Sequence, residues 1–221
     1  MRLWLASTDP AFVSEHFALG LFEGVLTNPA TLAAAGKPAE ETIPALCRVC
    51  PGPVFHQLRD GAVEDMKREA GRWLSLGLDN LGIKVPLDRN GCAVLHWLRE
   101  QNVRHRLATC VPTTAQLVLA TALEVPWVTP TGSALEKLGG PGKADLLSQM
   151  RLLLDRQGAA TRLIPSLASP AEMQALALAG IRHGFVWDRD VARFLDSELV
   201  RKSIRDFDKA WSDLAGSGGS Y

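Results

Sequence analysis

The sequence predicts a (β/α)8 TIM barrel with an extra C-terminal amphipathic helix, on three observations. Apolar runs of strand length recur eight times, at Leu3–Ala6, Gly24–Thr27, Val54–Leu58, Leu81–Val85, Val103–Cys110, Trp127–Thr129, Leu163–Ser166 and Ile181–Trp187. Stretches with helical spacing separate most of them. The runs are continuous rather than alternating, as in parallel strands covered by helices. Eight such units in 221 residues suit a compact barrel. An open doubly wound sheet is the competing arrangement, but no G-x-G-x-x-G or G-x-x-x-x-G-K-[ST] loop supports it.

Each element has a local reason. Asn28-Pro29 places an N-cap residue before a proline at the first helical position. Ala62, Met66, Ala70, Trp73 and Gly77 recur at helical spacing, with Glu64, Lys67, Arg68 and Arg72 on other faces. Leu146, Leu147, Met150, Leu153 and Leu154 repeat the pattern later. Ser169-Pro170-Ala171-Glu172 has the form of a capping box. Beyond the eighth strand, a helix at about 197–214 carries Leu199, Ile204, Phe207 and Trp211 among charges, positioned to cap the barrel or pack on a neighbouring subunit. The expected organisation is one domain over 1–215, this helix included, with a flexible Gly/Ser tail at 216–221.

Composition narrows the class. Twenty-four Lys plus Arg balance twenty-four Asp plus Glu, which speaks against a nucleic-acid partner. No apolar run approaches the roughly 18 residues of a membrane span, and Ser7, Thr8 and Asp9 follow the N-terminus too soon for a signal peptide. The expectation is a soluble cytoplasmic protein. Cys47 and Cys50 form a lone C-x-x-C at the end of a helical stretch, without a second pair or a nearby His. They read as reduced packing residues, with no metal.

In a barrel, chemistry sits at the C-terminal ends of the strands. That rule selects Ala6, Asn28, Gln57, Lys84, Thr109, Pro130, Ser166 and Trp187. Lys84 stands out between Leu81-Gly82-Ile83 and Val85-Pro86-Leu87, whereas the other six lysines lie in polar helical or loop segments. Desolvation lowers the pKa of a buried lysine, and a neutral amine can attack a carbonyl to form a Schiff base; a snorkelling or ion-paired lysine is the structural counterpart. Gln57 and Thr109 close apolar strands and suit a bound water or hydroxyl, or the backbone groups of the barrel rim. Asn28 suits a substrate oxygen as well as a cap. His56 points away from Gln57 by strand alternation, toward the helices, and it and His105 read as packing residues.

Met1-Arg2-Leu3-Trp4-Leu5, Gly24-Val25-Leu26-Thr27-Asn28-Pro29, Val54-Phe55-His56-Gln57 and Ile83-Lys84-Val85-Pro86 together resemble the small transaldolase family, with the fructose-6-phosphate aldolases as its nearest branch. The resemblance runs almost end to end, through Thr109, Ala115-Gln116, Phe207 and Trp211. It implies a cofactor-free class I aldolase or transaldolase of carbohydrate metabolism and the pentose phosphate pathway, acting on a sugar or sugar phosphate. It also implies a homo-oligomer, a ring of five or a stacked decamer, with the C-terminal helix reaching a neighbour. By position, Lys84 matches the Schiff-base lysine, and Gln57 and Thr109 the pair that holds the catalytic water. Asn28 and Thr27 of the T-N-P motif and Ser166 match substrate-binding positions, Ser166 at the phosphate.

Two departures qualify it. Ala6 stands where the resemblance implies an aspartate at the end of strand one. Ala134 falls where it implies a phosphate-binding arginine, Thr131 near a water-site tyrosine, Ala168 at a basic position, and Trp187 where small or hydroxylated residues are implied. Losing a bidentate cation removes the strongest interaction available to a phosphate; Lys137 and Arg89 are candidate replacements. The leading expectation is a Lys84 Schiff-base enzyme with altered phosphate recognition. A non-catalytic homologue serving binding or assembly is the alternative. A barrel isomerase or lyase working through Asp60 or Asp88 ranks third, for want of a carboxylate–histidine set.

Overall fold

The computed structural model describes residues 1–131 and 142–217. Eight parallel strands form one sheet in the order β7-β6-β5-β4-β3-β2-β1-β8. They are β1 (Arg2–Ala6), β2 (Phe22–Leu26), β3 (Val54–Gln57), β4 (Leu81–Pro86), β5 (Arg106–Val111), β6 (Trp127–Pro130), β7 (Arg162–Leu163) and β8 (His183–Trp187). The helices are α1 (Pro10–Phe17), α2 (Pro29–Ala35), α3 (Ala39–Val49), α4 (Val63–Leu74), α5 (Arg89–Glu100), α6 (Thr114–Ala122), α7 (Lys143–Gln157), α8 (Pro170–Leu178), α9 (Val191–Leu195) and α10 (Glu198–Ser217). The chain is a (β/α)8 TIM barrel. By contacts it divides into Met1–Asp188 and Arg189–Tyr221.

The barrel closes where its seventh strand is shortest. Pro165 has no N–H to give a ladder, so β7 ends at Leu163 and not at the expected Ser166. The join to β8 is made instead by Phe185 N–H donating to Pro165 O at 2.8 Å and Leu167 N–H donating to Phe185 O at 2.8 Å. Two strands begin later than their apolar runs suggest, for a common reason. Val103 and Ile181 belong to helix ends: their N–H groups donate back to Leu98 O and Leu176 O after left-handed residues at Asn102 and Gly180. This C-terminal closure captures an apolar residue that would otherwise read as strand.

Register fixes which side chains point inward. Trp4, Leu26, Phe55, Leu107, Trp127 and Ile164 form the core, with Phe185 packed against it. Trp4 lies 4.9 Å from Trp127 and 5.8 Å from Phe55 between ring centroids. Two glycines make room for these rings. A Cβ on Gly24 would stand 2.3 Å from Trp4, and one on Gly82 2.5 Å from Phe55. The floor is thus filled by aromatic volume, with His183 packed against Trp127 at its other end.

Several local expectations are met. Asn28 caps α2 in a reciprocal capping box with Thr31. Met66, Ala70 and Trp73 are the buried face of α4. His56 points outward as alternation requires, its ring tilted against Trp73 at 4.3 Å with its Nε2 3.8 Å from Glu69, and burial pushes its imidazole down to about 4. Cys47 and Cys50 are buried free thiols at the end of α3. Burial pushes them up to about 12 and 11, which keeps them protonated and inert.

Candidate active site at the C-terminal ends of the strands

One layer above the aromatic floor, the inward face presents Ala6, Gln57, Lys84, Thr109, Thr129, Ser166 and Trp187. The pairings set this order. Gln57 lies directly beside Lys84, Thr109 beside Pro86, Ala6 beside Trp187, and Ser166 bridges to Phe185. Lys84 is 7% exposed. Its Nζ donates to the carbonyl of Thr27 at 3.2 Å, and among the described residues no carboxylate is paired with it. Burial pushes the ammonium from 10.5 down to about 8, while Cys110 nearby pulls the other way.

The neighbours of Lys84 divide by what they have left to offer. Thr27 is buried, and its hydroxyl donates to Phe55 O at 2.9 Å. It therefore meets Lys84 through its carbonyl and holds β2 against β3 with its side chain. Asn28 accepts from Thr31 N–H through Oδ1 at 3.0 Å, which leaves the amide NH2 as the end not used in the cap. Thr109 is buried and accepts a 2.8 Å hydrogen bond from Thr129 Oγ1. Its own proton is then available to a third group. At the bulge between Ala108 and Val111, Cys110 is exposed with φ +59°, a conformation costly for a side chain other than glycine.

Ser166 sits in a closed polar network. Lys143, the first residue of α7, is 8% exposed. Its Nζ donates to Ser166 O at 2.6 Å and to Ser166 Oγ at 3.4 Å, and it pairs with Glu172 at 2.8 Å. The other carboxylate oxygen of Glu172 accepts from Ala168 N–H at 2.6 Å. Both charges are satisfied within the protein.

Sequence reasoning missed Thr129, Lys143 and Glu172 in these roles. Thr129 is legible in principle, since it follows Trp127 by two residues on one strand and so shares its inward face, which Pro130 does not. Lys143 looks like any solvated residue at a helix start, and its partners Ser166 and Glu172 are distant in sequence. Glu172 fits the capping-box spacing, and Ser169 does cap α8, but its carboxylate serves Ala168 and Lys143. Asp88 is a helix cap, accepting from Gly91 N–H at 2.7 Å, which occupies one of the two carboxylates of the isomerase reading. Asp60 is exposed. Ala134 and Lys137 lie outside the described residues.

Comparison with known proteins agrees with the motifs. No model of a protein family matches the chain. It is 26% identical over 218 residues to a probable transaldolase of Caulobacter vibrioides, covering 98% of this chain and 99% of that protein. It is 28% identical over 221 residues to one of a Caulobacter species, covering 100% and 99%. A probable transaldolase 2 of Listeria monocytogenes is 25% identical over 221 residues, the full length of both. Among solved structures, a mutant flavocytochrome b2 with pyruvate bound superposes with a TM-score of 0.58 at 11% identity. That match covers 85% of this chain and 56% of the other, and it supports the barrel fold alone.

Proposed function

Proceeding from a chain that is transaldolase-like over nearly its whole length, we propose that it makes or breaks a carbon–carbon bond of a ketose or dihydroxyacetone-type donor through a Schiff base on Lys84. One observation carries this reading: a lysine on the inward face, at the C-terminal end of its strand, buried without a carboxylate partner among the described residues and held near pKa 8. The neutral amine adds to the donor's ketone and loses water to give an iminium. Cleavage of the adjacent C–C bond releases an aldehyde and leaves its electrons as an enamine. Addition of the enamine to an acceptor aldehyde, or its protonation, followed by hydrolysis, returns the amine. Gln57 and Thr109 hold the water that exchanges protons; Asn28 and Thr27 line the donor, and Ser166 its far end.

Phosphate recognition is altered in this reading. The ammonium that reaches Ser166 is neutralised by Glu172, so a phosphate placed there would have to displace a carboxylate already held by Lys143 and a backbone N–H. Dihydroxyacetone and hydroxyacetone are therefore expected to be better donors than fructose 6-phosphate. Borohydride trapping with these three ketoses, read by peptide mass spectrometry, tests both points. A reduced adduct on Lys84, heavier by the donor fragment, is the expected result. Folded protein that gives no adduct with any donor would sink the proposal and favour a non-catalytic homologue, for which Ala6 in place of a carboxylate is the supporting observation.

Assembly into a ring belongs to the same reading. In α10, Val200, Ile204, Phe207, Trp211 and Leu214 repeat at spacings of four and three, one apolar stripe along a helix. Phe207 is 65% exposed and Trp211 71% exposed, more apolar surface than a lone chain usually shows. Replacing both by Glu is expected to give a monomer by light scattering with unchanged helical content. The same mass for variant and wild type would exclude this surface. No described helix is long and apolar enough to cross a membrane, and a cytoplasmic location accords with the proposed chemistry.

A further inference from the structure

The two halves of the mouth differ in chemistry. On β3, β4 and β5 the inward side chains are Gln57, Lys84 and Thr109, all able to hydrogen-bond. On β8 and β1 they are Trp187 and Ala6, paired directly in register. Trp187 follows Phe185 on the same inward face, with ring centroids 5.4 Å apart and planes at 79°. Phe185 packs on the aromatic floor, so the two rings extend the apolar surface from the core to the strand ends. Neither ring is fully buried, and Ala6 sets only a methyl group beside the indole.

We propose that Trp187 is a specificity-determining wall, against which the carbon chain of the acceptor aldehyde packs, and that it selects acceptors with an apolar, uncharged body. This rests on Lys84 carrying the donor. The enamine attacks the aldehyde carbon from the polar side. The new C–C bond forms there, the aldehyde oxygen takes a proton, and the remainder of the acceptor lies toward β8. A hydroxyl or phosphate lying against the indole face and the Ala6 methyl would give up water without a hydrogen bond in return. An apolar chain exchanges water for aromatic surface. Trp187 acts on the choice of acceptor and leaves imine formation at Lys84 unchanged.

The test compares wild type with Trp187→Ser and Trp187→Phe on dihydroxyacetone with two acceptors, phenylacetaldehyde and glyceraldehyde 3-phosphate. In Trp187→Ser, kcat/KM for phenylacetaldehyde is expected to fall about tenfold relative to glyceraldehyde 3-phosphate. Trp187→Phe keeps a ring and is expected to change that ratio by less than about threefold. Borohydride trapping of dihydroxyacetone on Lys84 is run on all three, is expected to be equal, and reads the underlying Schiff base. Binding of 4-fluorophenylethanol, followed by 19F NMR, reads the wall without chemistry and is expected to be lost in Trp187→Ser. An unchanged acceptor ratio, or equal probe binding by wild type and Trp187→Ser, overturns the wall. If Lys84 gives no adduct but the probe still depends on Trp187, the Schiff-base reading fails and the apolar wall stands.

Discussion

Lys84→Met is expected to abolish borohydride trapping completely and, at pH 7, to make the protein more stable. The second half follows from burial. In the folded chain the ammonium titrates near 8, against 10.5 when solvated. Below pH 8 both states are protonated, and the folded state bears the cost of a desolvated charge, about 3 kcal/mol at the full difference. Between 8 and 10.5 the unfolded state binds the proton and the folded state does not, so wild-type stability rises with pH. Above 10.5 both are neutral and the cost is gone. Methionine keeps most of the length of the side chain without the charge, although it forfeits the bond to Thr27 O. Urea denaturation at pH 7 and pH 10 checks the sign: the variant leads at pH 7 by up to about 3 kcal/mol, and the gap narrows as pH rises. A variant less stable at both values would mark Lys84 as a structural residue. A buried amine held at such a stability cost is what the proposed Schiff-base chemistry requires.

Much of this was legible in the chain because the signals were periodic or local. Eight apolar runs and their intervening helical patterns gave the barrel, and a single lysine inside one of those runs marks the candidate site. The caps at Asn28 and Ser169 were readable because a cap is a contact within four residues. Contacts across the barrel were not. Nothing near Lys143 in sequence announces Ser166, 23 residues away, to whose carbonyl it donates. Likewise the starts of β5 and β8 are not legible, because apolar residues that close a helix, such as Val103 and Ile181, resemble those that start a strand. The pairing of Ala6 with Trp187 joins the first strand to the last. Sequence showed both as departures from the family pattern; only the register shows that they are neighbours.

Lys143→Met is expected to cost about 2–3 kcal/mol and to loosen the barrel at its closure. Breaking a buried ion pair by removing one partner leaves the other desolvated and unpaired, at about 3–5 kcal/mol when both are inaccessible. Here the Lys143 side chain is 9% exposed but that of Glu172 is 26% exposed, so water recovers part of the loss. The melting temperature should fall by about 5–10 °C for a domain of this size. The damage should also be local. Lys143 holds Ser166 O, and the closure depends on the backbone bonds either side of it, from Phe185 N–H to Pro165 O and from Leu167 N–H to Phe185 O. Hydrogen exchange at Leu167 and Phe185 should therefore quicken more than exchange in β4 and β5. The double variant Lys143→Met/Glu172→Met removes the stranded carboxylate and should recover a large part of the stability, though not the hold on Ser166. If the double variant is as unstable as the single one, the cost lies in lost packing at the start of α7. If exchange quickens uniformly, the network is one contact among many and has no special part in closing the sheet. The expected local pattern would make this network the substitute for a seventh strand too short to close the barrel alone. It would also explain why the cation beside Ser166 is committed to the fold and withheld from substrate.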